Sequence, residues 1–287
     1  MEKTIKAYAK INLYLSVDDK RKDGYHEIET LMQEISLFDN ITLKLAENGT
    51  TENTIKITSD TPQIPLDENN IAYKCADKFL GFIGKSGLDV KIHIEKHIPI
   101  SGGLAGGSTD GAAVLKLLNE MTDTFLDLET LRMVGAKVGA DIPFCLTGGC
   151  AICRGIGEKV TSLSPAKPNY RILIVPTDKG VSTPIAYSML DKAKPQPPCS
   201  CGDIISDVTK GRIPHILYNA FESVILPIRP AANDIKNKLT LLNADGVMMS
   251  GSGPTIFALF YDENNLSYAK TQLADSGITS YICDLLI

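Results

Sequence analysis

A chain of 287 residues, 44% of them apolar, is long enough to bury a sizeable core and to divide into two domains. Its 29 Lys and Arg against 34 Asp and Glu leave a net charge of −5 without long runs of one sign. That balance argues against a surface for nucleic acid or an anionic membrane, and makes a small molecule the expected ligand. Seven cysteines, odd in number and irregular in spacing, point to reduced thiols in a cytoplasmic protein rather than a disulfide framework. The N-terminus has no signal-peptide pattern, and no apolar run is long enough to span a membrane.

From Ile5 to Val17 every odd position is apolar, which predicts a strand with one buried face and puts Lys10 and Asn12 together on the solvent side. Gly24-Tyr25-His26 lies in the polar connection that follows. An aromatic ring beside an imidazole there suits stacking on, and hydrogen bonding to, a heterocycle; a glycine turn that merely starts a strand is the other reading. Alternation over Ile35–Leu45, Thr54–Thr58 and Leu88–Lys96 predicts a mostly antiparallel sheet, with a helix near Asn70–Ile83 inserted before its last strand. His93 and His97 fall on the strand pattern and so form no helical metal pair.

Pro99–Ala113 reads PISGGLAGGSTDGAA. Gly102, Gly103, Gly106 and Gly107, followed by Ser108, Thr109, Asp110 and an apolar run, describe a glycine-rich loop that opens a helix and bares backbone N–H groups to an anion such as phosphate. No Gly-Lys-Ser/Thr follows, and Leu104 breaks the dinucleotide spacing, so the two commonest phosphate loops are excluded; a flexible packing turn is the alternative. Helices are expected over Ser108–Glu120 and Glu129–Gly139. Asp141 follows the second of these and precedes Ile142-Pro143, a setting for a general base as well as for an Asx turn. Cys150-x-x-Cys153 continues a core strand rather than a redox or metal motif. SLSPAKPN at 162–169 interrupts the pattern and places a boundary there, giving domains 1–162 and 163–287. The second domain has strands near Arg171–Val175, Gly246–Met249, Thr255–Phe260 and Ser280–Leu285 with helices between them, an α+β order. Lys192–Asp203, KAKPQPPCSCGD, reads as an exposed loop. Met249–Pro254 is a glycine-rich turn between two strands, by itself a tight hairpin and together with the first loop a second wall around phosphates.

Three separated segments, Ala7–Leu15, the loop at Pro99–Ala113 and MSGSGPTIFALF at 249–260, together resemble the GHMP small-molecule kinases, and the resemblance runs over nearly the whole chain. It implies an N-terminal domain like the second domain of ribosomal protein S5 and a ferredoxin-like C-terminal domain. AYAKINLYL, DGYHEIETLMQEISLFD and GADIPFCLTGG look like the branch whose acceptor is a cytidine diphosphate-linked methylerythritol, phosphorylated on its 2-hydroxyl in the non-mevalonate route to isoprenoid precursors. On that resemblance Pro99, Ile100, Ser101, Gly102, Gly103, Leu104, Ala105, Gly106, Gly107, Ser108 and Thr109 wrap ATP, and Ser108 lies near Mg²⁺. Asp141 acts on the acceptor hydroxyl, Lys10 keeps Asp141 ionised, and Asn12, Tyr25 and His26 bind the acceptor. Val181–Pro184 begins a helix lining the acceptor pocket, and the chain acts as a monomer or homodimer. Ala105 and Thr109 stand where glycine and serine are common in the family, so the loop's shape at Ala105 is a point to test. Homoserine and mevalonate kinases, diphosphomevalonate decarboxylase and a non-catalytic nucleotide sensor share the loop; Tyr25-His26 argues against the first three, and Lys10 with Asp141 against the last.

Overall fold

The computed structural model describes residues 1–177 and 180–287 and divides into two compact units whose segments interleave along the chain. Strands β1 (Glu2–Lys20) and β2 (His26–Glu47) are neighbours in one sheet, and each runs from one unit into the other. The first unit takes residues 1–9, 37–100 and 105–147; the second takes 10–36, 101–104 and 148–287.

In the first unit β3 (Thr54–Ser59) is followed by α1 (Ile71–Ile83) and β4 (Leu88–Glu95). The β3 and β4 strands pair in parallel, and β4 pairs antiparallel with β2 from Asn40↔Glu95 to Glu47↔Leu88. The β2–β4 pairing is antiparallel, as expected of this sheet, and the β3–β4 pair departs from the pattern because the intervening helix carries the chain back to start β4 at the same end as β3. Asn70 caps α1 through its side chain, accepting from the Ala72 N–H, and Gly84 ends the helix in the left-handed region at φ 65°. Helices α2 (Gly106–Met121), α3 (Leu128–Ala136) and α4 (Ile142–Thr147) complete the unit. Helix α3 stops three residues before the expected end, and α4 is a helix that the pattern did not predict. A proline in a first helical turn, as at Pro143, sacrifices no intrahelical hydrogen bond, so Ile142-Pro143 starts a helix instead of extending a turn.

In the second unit β5 (Cys150–Gly155) pairs antiparallel with β2 and with β6 (Lys159–Leu163). Cys150 and Cys153 are buried in this strand, as the core reading expects. Then come β7 (Arg171–Val175), α5 (Thr183–Ala193), α6 (Cys201–Thr209), β8 (Tyr218–Asn219), the single turn α7 (Glu222–Ile225) and α8 (Pro230–Leu241). The chain closes with β9 (Gly246–Met249), β10 (Ile256–Phe260), α9 (Glu263–Ala274) and β11 (Tyr281–Cys283). The sheet order β11-β7-β10-β9, with helices after β7 and after β10, is the β-α-β-β-α-β arrangement of ferredoxin-like domains. Leu173, Val175, Ala258 and Phe260 on this sheet and Leu239, Leu266 and Leu273 on its helices share one core. The exposed loop expected over 192–203 is shorter: α5 runs to Ala193, and Ser200 and Asp203 form a capping box that starts α6 with Cys201 buried. Tyr14 Oη donates to the Cys199 carbonyl at 2.8 Å and ties the loop down, and burial raises that phenol to about 12. Among the described residues no helix is long and apolar enough to cross a membrane.

Candidate active site

Lys10 and Asn12 do share one face of β1, but not the solvent face: they are 4% and 2% exposed. The alternation marked the apolar side correctly and misjudged the other, because β1 between Lys10 and Ser16 is covered on both faces. The Lys10 ammonium donates to Asn12 Oδ1 at 2.8 Å and to the Gly103 carbonyl at 3.2 Å. An ammonium only donates, so the Asn12 amide is oriented with its oxygen toward Lys10. Its Nδ2 then donates to Thr30 Oγ1 at 2.8 Å, and that hydroxyl donates to the Tyr14 carbonyl at 2.6 Å. A directional chain of hydrogen bonds thus holds a buried cation against the glycine loop.

The glycine loop is built against the turn between β9 and β10. Ser250 Oγ donates to the Gly103 carbonyl at 3.0 Å, and the Thr255 N–H approaches the Gly102 carbonyl at 3.4 Å. Gly103 sits at φ 80°, and a Cβ there would overlap the Ser250 carbonyl oxygen and lie 3.1 Å from the Gly253 nitrogen. Glycine is needed for both the conformation and the close approach. The turn is fixed in its own right: Asn219 Nδ2 donates to the carbonyls of Met249 at 2.7 Å and Gly251 at 2.8 Å. Thus Lys10, Asn12, Gly102, Gly103 and the 250–255 turn come together in the second unit. Asn219 and Thr30 are missed by sequence reasoning, since a polar residue inside a strand pattern carries no signal of the distant carbonyl or amide it serves.

In the first unit α2 starts at Gly106, two residues earlier than expected. Its N-cap is Ala105 at φ 59°, with no side-chain cap bond among the described residues. Alanine therefore occupies the left-handed conformation that glycine takes more readily, at a cost of about 1–2 kcal/mol. Ser108, Thr109 and Asp110 lie inside the first turns rather than flanking them, so they do not cap the helix; Thr109 and Asp110 are buried. Gly111 is required by packing, since a Cβ would come within 2.7 Å of Cys75 Sγ on α1. Pro99 and Ile100 lead into the loop from β4, with Ile100 exposed. Ser101 is exposed at φ 57°, and Leu104 is buried with its carbonyl accepting from the Lys10 N–H at 3.1 Å.

Below the first turn of α2, Lys96 forms buried ion pairs with Asp39 and, at 3.0 Å, with Asp110. Asp39 also accepts from the N–H groups of His97 at 2.6 Å and Ile98 at 2.8 Å. Burial pushes the Asp110 carboxyl up, against the pull of Lys96, and among the described residues its Oδ1 finds no hydrogen-bond partner. Burial pulls the Lys96 ammonium down, but the two carboxylates outweigh it and leave it above its ordinary value.

Asp141 occupies the turn directly before α4, and its carbonyl accepts the helix's first i→i−4 bond from Cys145 at 3.0 Å. Three anchors fix α4: Arg132 of α3 donates to Thr147 Oγ1 at 2.6 and 2.9 Å, Lys116 of α2 donates to the Cys145 carbonyl at 3.3 Å, and Ile142 packs where Gly135 carries no Cβ.

Tyr25 is 59% exposed in a turn closed by the Arg21 N–H bonding to the Tyr25 carbonyl at 2.7 Å and the Tyr25 N–H to Asp23 Oδ1 at 3.1 Å. The latter bond holds Asp23 below the usual carboxylate range. His26 belongs to β2 rather than to the polar connection and is buried. Its ring stacks on Tyr187 and its Nε2 meets Asp191, both on α5, the helix expected to begin near Val181–Pro184.

Comparison with known proteins agrees with this architecture. Residues 70–149 match the GHMP kinases N-terminal domain, and residues 212–278 match the GHMP kinases C-terminal model. A 4-diphosphocytidyl-2-C-methyl-D-erythritol kinase from Caldicellulosiruptor bescii is 44% identical over 273 residues, covering 94% of this chain and 93% of the relative. One from Clostridium botulinum is 43% identical over 262 residues, covering 90% and 91%. The crystal structure of a 4-(cytidine 5'-diphospho)-2C-methyl-D-erythritol kinase superposes with a TM-score of 0.80 at 30% identity, covering 99% of both chains. A homoserine kinase from Cytophaga hutchinsonii, at 19% identity and a TM-score of 0.68 over 98% of this chain and 94% of its own, shares the fold.

Proposed function

The chain belongs to the GHMP kinases, in the branch of the 4-diphosphocytidyl-2-C-methyl-D-erythritol kinases, and from that premise we propose that it phosphorylates the 2-hydroxyl of 4-diphosphocytidyl-2-C-methyl-D-erythritol with ATP, giving the 2-phosphate and ADP. The observation that carries the reading is the first turn of α2, which follows a glycine loop and, among the described residues, has no side-chain cap. Its backbone N–H groups are left for an anion. Gly102–Thr109, entered through Pro99 and Ile100, wrap the ATP phosphates. Lys10 and the 250–255 turn brace Gly103 from behind, which supports a loop of fixed shape. Phosphoryl transfer depends mainly on positioning and charge neutralisation, and a braced loop supplies both.

Asp141 accepts the proton of the acceptor hydroxyl as its oxygen bonds to the γ-phosphorus and the bond from that phosphorus to the β–γ bridging oxygen breaks, releasing ADP. Lys10 helps to orient the hydroxyl. Asn12, fixed by Lys10 and Thr30, contacts the acceptor with its remaining lone pair or N–H; Tyr25 and His26 hold the cytosine. Among the described residues no group of three His, Cys, Asp or Glu side chains could hold a metal ion. Mg²⁺ bound through substrate phosphates with one or two protein oxygens needs no such group, and the Ser108 hydroxyl on α2's first turn is a hard oxygen of the right kind. The ion would neutralise phosphate charge. The chain works in the cytoplasm, as a monomer or homodimer, with 1–162 and 163–287 as its functional halves. Phosphorus and carbon NMR of the product tests the reaction: a new phosphomonoester on carbon 2 is expected, and phosphate on any other oxygen overturns the assignment.

A further inference from the structure

His26 is 7% exposed, and its ring lies 4.7 Å from that of Tyr187 with 18° between the planes. Tyr187 is met edge-on by Phe221 at 5.0 Å, which fixes the platform under the imidazole. One helical turn beyond Tyr187, Asp191 brings Oδ1 to 2.6 Å from His26 Nε2. The hydrogen bond from His26 holds the Asp191 carboxyl below the usual range, and Lys20, 4.0 Å from its other oxygen, and Lys194 act in the same direction. An ionised carboxylate only accepts, so Nε2 carries the proton, and in the neutral ring Nδ1 is an acceptor.

We infer that Asp191 is a specificity-determining positioning residue: by fixing the proton on Nε2 it presents His26 Nδ1 to the acceptor's base as a hydrogen-bond acceptor, selecting the exocyclic amine of cytosine over the carbonyl that uracil carries at that place. The inference rests on the reading of His26 as a base-binding residue. Asp191 is the right kind of group for this task. It sits on the far edge of the imidazole from the atom offered to the ligand, and its own side chain is about one-third exposed, at 37%, so it can be changed without opening the core. A buried partner of the wrong polarity leaves two acceptors facing each other, which is how a site rejects an analogue of the same shape.

The test compares the cytidine acceptor with its uridine counterpart in the wild type, Asp191→Ala, Asp191→Asn and His26→Ala. Asp191→Ala should lower the preference for cytidine roughly tenfold, the worth of about one buried hydrogen bond. The loss should fall on the KM of the acceptor, with kcat and the KM of ATP unchanged. Asp191→Asn, whose Oδ1 also accepts from Nε2, should restore the preference. An unchanged preference in Asp191→Ala, or no rescue in Asp191→Asn, overturns the inference. If His26→Ala abolishes the preference and Asp191→Ala does not, Asp191 alone is removed; if His26→Ala leaves it intact, the base-binding reading falls and the inference with it. Nitrogen NMR of the wild-type imidazole tests the same point without a variant: the Nε2–H tautomer is expected, and the Nδ1–H tautomer overturns it.

Discussion

Replacing Gly103 by alanine should damage this protein more than its single methyl group suggests. At φ 80° an L-residue pays about 1–2 kcal/mol for the left-handed backbone. The added Cβ would overlap the Ser250 carbonyl oxygen and stand 3.0 Å from the carbon behind it and 3.1 Å from the Gly253 nitrogen. These neighbours are backbone, held by Asn219, so they cannot rotate away. Overpacking against such neighbours costs a further 1–3 kcal/mol or so, for a sum of about 2–5 kcal/mol. At roughly 2–4 °C per kcal/mol this lowers the melting temperature by about 4–20 °C. If the loop shifts instead of the fold yielding, the loss appears as a raised KM for ATP. Gly81→Ala is the control, because a Cβ there meets nothing within 4 Å, and inside α1 helix propensity favours alanine by up to about 1 kcal/mol. Thermal denaturation of both variants beside ATP kinetics decides. A Gly103→Ala protein with wild-type melting and wild-type KM for ATP would refute the claim that the 250–255 turn braces the loop.

Asp141→Asn should lower kcat by about 10²–10⁴-fold while ATP binding, read by calorimetry, stays near normal, since an amide of the same shape cannot take the proton. His26→Ala should raise the KM of the acceptor far more than that of ATP in steady-state kinetics, and equal effects on both would break the assignment of His26 to the base. Lys96→Met should cost roughly 3–5 kcal/mol in urea unfolding, because it strands Asp39 and Asp110 without a counter-ion. Asp110→Asn should cost under about 1.5 kcal/mol in the same assay, since burial already favours the uncharged carboxyl and the amide oxygen still accepts from Lys96.

Much of the fold could be read from local pattern. The strand at Arg171–Val175, the strand at Gly246–Met249 and the helix end at Ile83 fall where the periodicity puts them, since alternation and caps are local signals. What failed was non-local. Nothing in the alternation of β1 reveals that Lys10 will be covered, because the Gly103 carbonyl that its ammonium meets lies 93 positions away. Asp191 lies 165 residues from His26, in a helix whose sequence carries no sign of the pairing. The helix after Asp141 was hidden because Ile-Pro reads as a boundary unless proline falls in a first turn. The loop at Pro99–Thr109 was legible as a turn opening a helix because glycine density before an apolar run is a local signal. Its actual shape was not, since Ala105 takes a conformation that its residue type disfavours.

Release of ADP from Mg-ATP, followed in a coupled assay with 4-diphosphocytidyl-2-C-methyl-D-erythritol, mevalonate and homoserine as parallel acceptors, tests the central claim most directly. Turnover with the cytidyl acceptor alone is the predicted result. Turnover with mevalonate or homoserine in its place would contradict the account, leaving the fold and the phosphate loop but removing the cytosine site.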